Sequence, residues 1–323
     1  MPKRIATHSG SFHADDVFGV AVLAALFPAH ELVRTRDNEE IARCDFAVDV
    51  GGAWDAARGR FDHHQRGFDG TRVRQEDGAT VPAEGYASAG LVWKEYGVAY
   101  VQQVAQSMGE VLADATLARI AQEIDASLVR YLDLVDTGAA MVAPGAVGLS
   151  SHLAALNSTW FEEQGLDAAG RGRLQMERFR EAMAIVQRLL QRLVLRRIGQ
   201  ELAAGKVRSA RRLLDGRVLH LAEGGMPWTA IVVQEMPQVL LVVYPESDEA
   251  GERHVLRTVP ARDGSFDSRL DLPAAWAGLR EQELAAVSGV ADALFCHTNL
   301  FIAVARSLDG ALRLAELALQ PSG

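Results

Sequence analysis

Two rhythms of apolar and polar positions alternate along the first 65 residues. Short β-type runs at 3–7, 31–36 and 45–50 are separated by helix-spaced stretches at 17–27 and 38–43, and another short run leads into Phe61. Pro28 stops the first helical stretch, since its ring clashes with the preceding turn. Strands alternating with helices predict a mainly parallel sheet flanked by helices on both faces. Ligands of such sheets bind beyond the carboxyl ends of the strands, where His8, Asp49 and Asp62 fall. Helical spacing then dominates from Ser88 to Leu134. A Gly/Ala/Pro-rich stretch at 138–148 reads as the end of a first domain.

Between 167 and 212, Phe179, Met183, Val186, Leu190, Leu193 and Ile198 recur at three- to five-residue steps, predicting one long or broken amphipathic helix. Beyond it, β-type runs at 217–222, 231–233 and 239–244 and a final helix at 308–319 predict a second, smaller α/β domain. With ~150 residues to a common domain, 323 residues accommodate this division. The expected boundaries are 1–145 for a catalytic domain, 146–215 for a helical connector and 216–323 for a C-terminal substrate-binding domain.

Composition narrows the function classes. A 49% hydrophobic, 23% charged chain is neither disordered nor collagenous. Its net charge of -9 argues against an extensive nucleic-acid coat and leaves room for a small basic cleft. Cys44 and Cys296 have no paired spacing and read as reduced thiols, consistent with a cytoplasmic protein. The longest mostly apolar stretch, 17–29, is too short to span a bilayer, so no membrane association is expected.

The chemistry-bearing residues fall in four segments. His8-Ser9-Gly10-Ser11-Phe12-His13-Ala14-Asp15-Asp16 places two imidazoles and two carboxylates between a strand and a helix. That mixture suits a divalent ion of the Mn or Zn type, although an N-capping Asp and surface histidines would also account for it. Val48-Asp49-Val50-Gly51-Gly52 sets a carboxylate at a strand end, a pattern shared with ordinary turns. Phe61-Asp62-His63-His64-Gln65 follows, and Leu132-Asp133-Leu134-Val135-Asp136-Thr137-Gly138 puts two acids near a helix end. Acids there oppose the helix dipole, a cost of up to ~1 kcal/mol that a bound cation would offset.

In this order the segments resemble the DHH phosphoesterase superfamily, and their flanking residues resemble its MYG (melanocyte proliferating gene) family of metal-dependent hydrolases and exonucleases. Arg34-Thr35-Arg36-Asp37 and Ser88-Ala89-Gly90-Leu91 extend the likeness. Weaker matches run through Pro227-Trp228 and Phe295-Cys296-His297 to Gly310-Ala311. The resemblance implies two divalent cations, manganese being the expected ion. His8, His13 and Asp49 would hold one, and Asp15, Asp49, His63 and Asp136 the other, with Asp49 bridging. His64 and Arg36 would bind substrate phosphate, Asp62 would orient a histidine, and His297 and Arg306 would add substrate contacts from the second domain. A cation pair of this kind activates water and polarises a phosphoryl oxygen.

Three departures stand out. Asp16 occupies a position where the family usually has Glu, and Thr137 one where it usually has Asn. Ala303 and Val304 replace a Gly-Gly pair, so their side chains are expected to obstruct a backbone approach to substrate. The resulting expectation is a two-metal phosphohydrolase with family-implied 3′-to-5′ exonuclease action on RNA or short oligonucleotides, and a homodimer is compatible with it. The alternatives are a small-molecule phosphatase or pyrophosphatase, and a metal- or nucleotide-binding module without turnover.

Overall fold

Strand β1 (Lys3–Thr7) ends in three fully buried residues, the pattern of a strand covered on both faces. It pairs in parallel with β2 (His30–Arg34) and β3 (Phe46–Val48). The sheet continues through β4 (Trp54–Asp55) and β5 (Arg60–Phe61) in the order β2-β1-β3-β5-β4, with only β4 antiparallel to its neighbour. The parallel sheet expected from the sequence is therefore present. This computed structural model describes residues 1–76, 79–141, 148–249 and 251–320. Of the 138–148 stretch expected to close the first domain, 142–147 lie outside the described residues. The chain divides into two compact units, Met1–Ile198 and Gly199–Gly323.

In the first unit, α1 (Ala14–Leu26) connects β1 to β2, and the short α2 (Asn38–Ala42) connects β2 to β3. Helix α1 begins three residues before the apolar run because the Asp16 carboxylate accepts from the His13 N–H at 2.9 Å, capping the first turn. Its buried residues include every position from Ala14 to Ala24, as befits a helix enclosed on all sides. Gly19 permits this: a Cβ there would meet Val48 Cγ1 at 2.8 Å and Val92 Cγ2 at 3.2 Å. Val92 belongs to α3 (Ser88–Ser107), which precedes α4 (Asp114–Ile124), a π-helical turn at Asp125–Val129 and α5 (Arg130–Asp136).

An antiparallel hairpin, β6 (Thr71–Glu76) and β7 (Ala79–Gly85), precedes α3. Two short helices, α6 (Leu149–Ala154) and α7 (Trp160–Glu163), lead into α8 (Ala168–Ser209), the long helix expected from the apolar spacing. Phe179, Ala182, Val186, Leu190, Val194 and Ile198 form its buried stripe and join α1 in one core.

The second unit contains a mainly antiparallel six-stranded sheet: β8 (Arg211–Leu213), β9 (Val218–His220), β10 (Leu241–Asp248), β11 (Gly251–Thr258), β12 (Ala293–Cys296) and β13 (Ile302–Ala305). The strand order is β12-β13-β11-β10-β9-β8. Residues 231–233, expected to be extended, instead lie in α9 (Thr229–Glu235). Their β-branched side chains favour a strand locally, but Trp228, Val232 and Met236 recur at helical spacing and all three are buried in one cluster. Helices α10 (Glu281–Ser288) and α11 (Leu308–Ala318) pack in a separate cluster with Leu256, Ala303 and Ala305. Among the described residues no helix is long and apolar enough to cross a membrane.

Candidate metal centre

The C-terminal ends of three parallel strands converge on one cluster of side chains. His8 follows β1, Asp49 follows β3, and Asp62, His63 and His64 follow β5; Asp15 and Asp16 come from the first turn of α1, and Asp136 ends α5. Asp49 has φ +56, a left-handed conformation that costs a residue with a Cβ about 1–2 kcal/mol. Its N–H donates to Phe61 O at 3.0 Å, and Gly51 and Gly52 continue the chain at φ +95 and +65. Strained backbone of this kind aims a side chain that relaxed geometry would turn elsewhere.

The two Asp49 oxygens serve opposite sides of the cluster. Oδ2 lies 3.4 Å from His8 Nε2, while Oδ1 lies 3.5 Å from His63 Nε2 and accepts from Ser88 Oγ at 3.1 Å. His63 Nε2 is also 3.1 Å from Asp136 Oδ2, and His8 Nε2 is 3.1 Å from Asp16 Oδ2. Three groups of donor atoms each lie within 4.8 Å of one another: His8–His13–Asp49, Asp49–His63–His64 and His13–Asp15–Asp136. Asp49 and His13 each belong to two of them.

Hydrogen bonding leaves this cluster incomplete. His8 Nε2, His63 Nε2 and both carboxylate oxygens of Asp15 are buried without a hydrogen-bond partner, although other donors and acceptors lie nearby. Each such atom costs about 1–3 kcal/mol. Burial lowers the His8 pKa, but pairing with Asp16 and Asp49 outweighs it and pushes the imidazole up to about 10; His63 reaches about 10 in the same way through Asp136 and Asp49. Asp15 is driven well above the carboxylate range by burial and then by Asp49, Asp136 and Asp16, whereas His63 and His8 hold Asp49 far below it against its own burial. Crowded carboxylates require compensating positive charge, which protons on His8 and His63 or divalent cations could provide. Imidazole and carboxylate together are a suitable donor set for Mn or Zn.

Several contacts fix the surrounding frame. Asp62 Oδ1 accepts from His64 Nδ1 at 2.9 Å and from its backbone N–H at 3.0 Å, while Oδ2 accepts from Gly52 N at 2.6 Å. His64 is consequently oriented, with its side chain 63% exposed. Arg36 lies beside His8, 3.3 Å from Nδ1, and also donates to Ser9 O. The 8–13 loop is held further by Arg34, which donates to Gly10 O, and by Asn157, which exchanges two hydrogen bonds with the Phe12 backbone. Beneath Asp136, Asp133 accepts from Gly90 N at 3.0 Å and pairs with Arg72 at 2.7 Å.

A Cβ at Gly90 would fall 1.9 Å from Asp133 Oδ2 and 2.5 Å from Tyr86 Cδ1. Gly90→Ala is therefore expected to destabilise the protein by about 1–3 kcal/mol, the usual range for overpacking. Urea denaturation measures this, and an unchanged midpoint and slope would contradict it.

The structure thus brings together His8, His13, Asp15, Asp49, Asp62, His63, His64, Asp136 and Arg36. His297 and Arg306 belong to the second unit, where the His297 ring lies 4.5 Å from that of Phe301 and Arg306 is exposed. Ala303 and Val304 are buried within β13 and paired with both β11 and β12. Their backbone is committed to a sheet, which gives the two side chains a packing role not foreseen from the missing glycines. Sequence reasoning also missed the contacts of Ser88, which stands inside a matched segment, and of Asp16, which directly follows one. It missed Asn157, which carries no local signal because its partner is 145 residues away.

The family model MYG1_exonuc, described as an uncharacterised protein family (UPF0160), matches residues 4–319. The chain belongs to this family. Among MYG1 relatives, the human MYG1 exonuclease is 34% identical over 98% of this chain and 86% of its own length. A MYG1 protein of Caenorhabditis elegans is 31% identical over 99% and 96%, and one from Chlamydia pneumoniae is 27% identical over 100% and 99%. Among solved structures, a pGpG-specific phosphodiesterase from Vibrio cholerae is similar at 13% identity and TM-score 0.27, covering 97% of this chain and 96% of that one. An exopolyphosphatase-related protein from Bacteroides fragilis is similar at 11% identity and TM-score 0.23, covering 98% and 91%. Membership of the MYG1 family rests on the sequence matches.

Proposed function

We propose that this MYG1-family chain is a hydrolase that cleaves phosphodiester bonds with two divalent cations, manganese foremost, and acts on RNA or short oligonucleotides from the 3′ end. The observation that carries the reading is the division of the Asp49 oxygens between His8 and His63, which suits a carboxylate shared by two cations. His8, His13 and Asp49 would hold one cation, and Asp15, Asp49, His63 and Asp136 the other. Bound there, the pair would neutralise crowded carboxylates and polarise a phosphoryl oxygen. Region 1–145 would act as the catalytic domain, 146–215 as connector and 216–323 as substrate-binding domain, with His297 and Arg306 as contacts. The buried free thiols Cys44 and Cys296 fit a cytoplasmic setting.

The chain's own groups divide the remaining work. Arg36, Gly51, Gly52 and His64 line one cavity of about 470 Å³ together with His8 and Asp49. Arg36 supplies a fixed positive charge for a phosphate oxygen. Asp62 accepts from His64 Nδ1, which leaves Nε2 to hold or pass a proton at substrate.

A manganese-dependent turnover screen over pyrophosphate, mononucleotides, dinucleotides and single-stranded RNA tests the proposal. Turnover of dinucleotides or short RNA is expected. Cleavage of pyrophosphate alone would replace it with the small-molecule phosphatase reading, and metal binding without any turnover with the binding-module reading. His64→Ala should retain both metals while kcat/KM falls on the order of 10²-fold or more. Metal loss by elemental analysis in that variant would instead make His64 a ligand.

A further inference from the structure

A second cavity, of about 390 Å³, adjoins the same cluster, and its chemistry differs from that of the first. His13, Asp15 and Asp136 line it alongside Leu132, Val135 and Ala154, with the hydroxyl-bearing Ser150 and Ser151 completing the polar side chains. Among the described residues no lysine or arginine lines this cavity. The other cavity shares His13 and also holds the carboxylates of Asp49 and Asp62, but it adds Arg36, Asn38 and His64. Asp15, 1% exposed with both oxygens unpartnered, lies in the second cavity and makes it part of a built site.

We infer that this second cavity receives the uncharged nucleoside portion of a substrate whose phosphate lies at the metal centre. The inference rests on the phosphoesterase reading and narrows its substrate class. Beyond the cation that Asp15 and Asp136 would hold, the described lining offers no arginine or lysine to a further phosphate, so the charged part of the substrate belongs with Arg36. Leu132, Val135 and Ala154 offer apolar contact to a ring, while Ser150 and Ser151 can give or accept hydrogen bonds with sugar hydroxyls. The volume is within the ~300–1,000 Å³ typical of small-molecule sites.

Ala154 is an exposed residue at the end of α6, where Leu is a good helix former, so Ala154→Leu narrows the cavity without burdening the core. The neighbouring Ala155→Leu, exposed and outside the lining, is the control. Calorimetric titration of the manganese-loaded full chain with adenosine, and separately with inorganic phosphate, provides a readout independent of turnover. Adenosine affinity should fall about tenfold or more in Ala154→Leu and stay unchanged in Ala155→Leu, while phosphate binding is unaffected in both. Absence of adenosine binding to the parent chain, or equal behaviour of the two variants, overturns the assignment. If the adenosine pattern appears while the substrate screen shows no hydrolysis, the cavity assignment stands and the hydrolase reading fails.

Discussion

Asp49→Asn is expected to lower kcat/KM by about 10³-fold or more and to remove bound metal, while leaving the far-UV circular dichroism spectrum intact. The substitution preserves shape, and Asn is among the few side chains that tolerate the left-handed conformation at φ +56. Its amide retains one oxygen where the carboxylate has two, so it cannot present negative charge to both His8 and His63. The variant therefore separates ligand chemistry from backbone strain, which Asp49→Ala would confound. Elemental analysis before and after dialysis, together with dinucleotide turnover, measures the outcome. Two retained manganese equivalents per chain would remove Asp49 from the bridging role.

Much of this cluster was legible in the sequence because several of its proposed ligands follow strand ends. The runs at 3–7, 45–50 and the one leading into Phe61 place His8, Asp49 and Asp62–His64 on one side of a parallel sheet once the strands pair in register. Long periodic segments were equally legible: the stripe from Phe179 to Ile198 fills the buried face of α8. Local patterns failed where tertiary packing decides. Residues 231–233 look like a strand until Trp228 and Met236 are seen to bury the same helical face. The packing of Ala303 and Val304 was equally hidden, since their pairing partners lie on β11 and β12 and could not be inferred from the segment itself. Hairpin β6–β7 escaped notice too, and with it Arg72, whose partners Asp125 and Asp133 are 53 and 61 positions away.

Arg72 should be among the costliest side chains to remove. It is buried, donates to both Asp125 oxygens at 2.7 and 2.9 Å, lies 2.7 Å from Asp133 and stacks 4.4 Å from the Tyr86 ring centroid. Asp133 is fully buried one turn before Asp136, so this pairing anchors the helix end that carries a proposed ligand. Arg72→Met leaves a buried carboxylate without its cation, and breaking such a pair costs about 3–5 kcal/mol. The sign of the pH dependence follows from Asp133. Burial raises its pKa and Arg72 lowers it, leaving the carboxyl at about 7, above its unfolded value of 3.8. A group raised in this way is protonated in the folded state below pH 7, and the stability it contributes is lost as pH rises through 7. At pH 5 the folded parent and Arg72→Met both carry neutral Asp133, so the variant should lose least there. At pH 8 Asp133 is ionised in the parent opposite Arg72, and the variant must either bury that charge alone or hold the proton against a higher pH. The destabilisation should therefore be larger at pH 8 than at pH 5, and Arg72→Met with Asp133→Asn should recover part of the pH 8 loss. Urea denaturation of the single and double variants at both pH values tests this. A loss below 1 kcal/mol at pH 8, or a larger loss at pH 5, would show that Arg72 does not compensate Asp133.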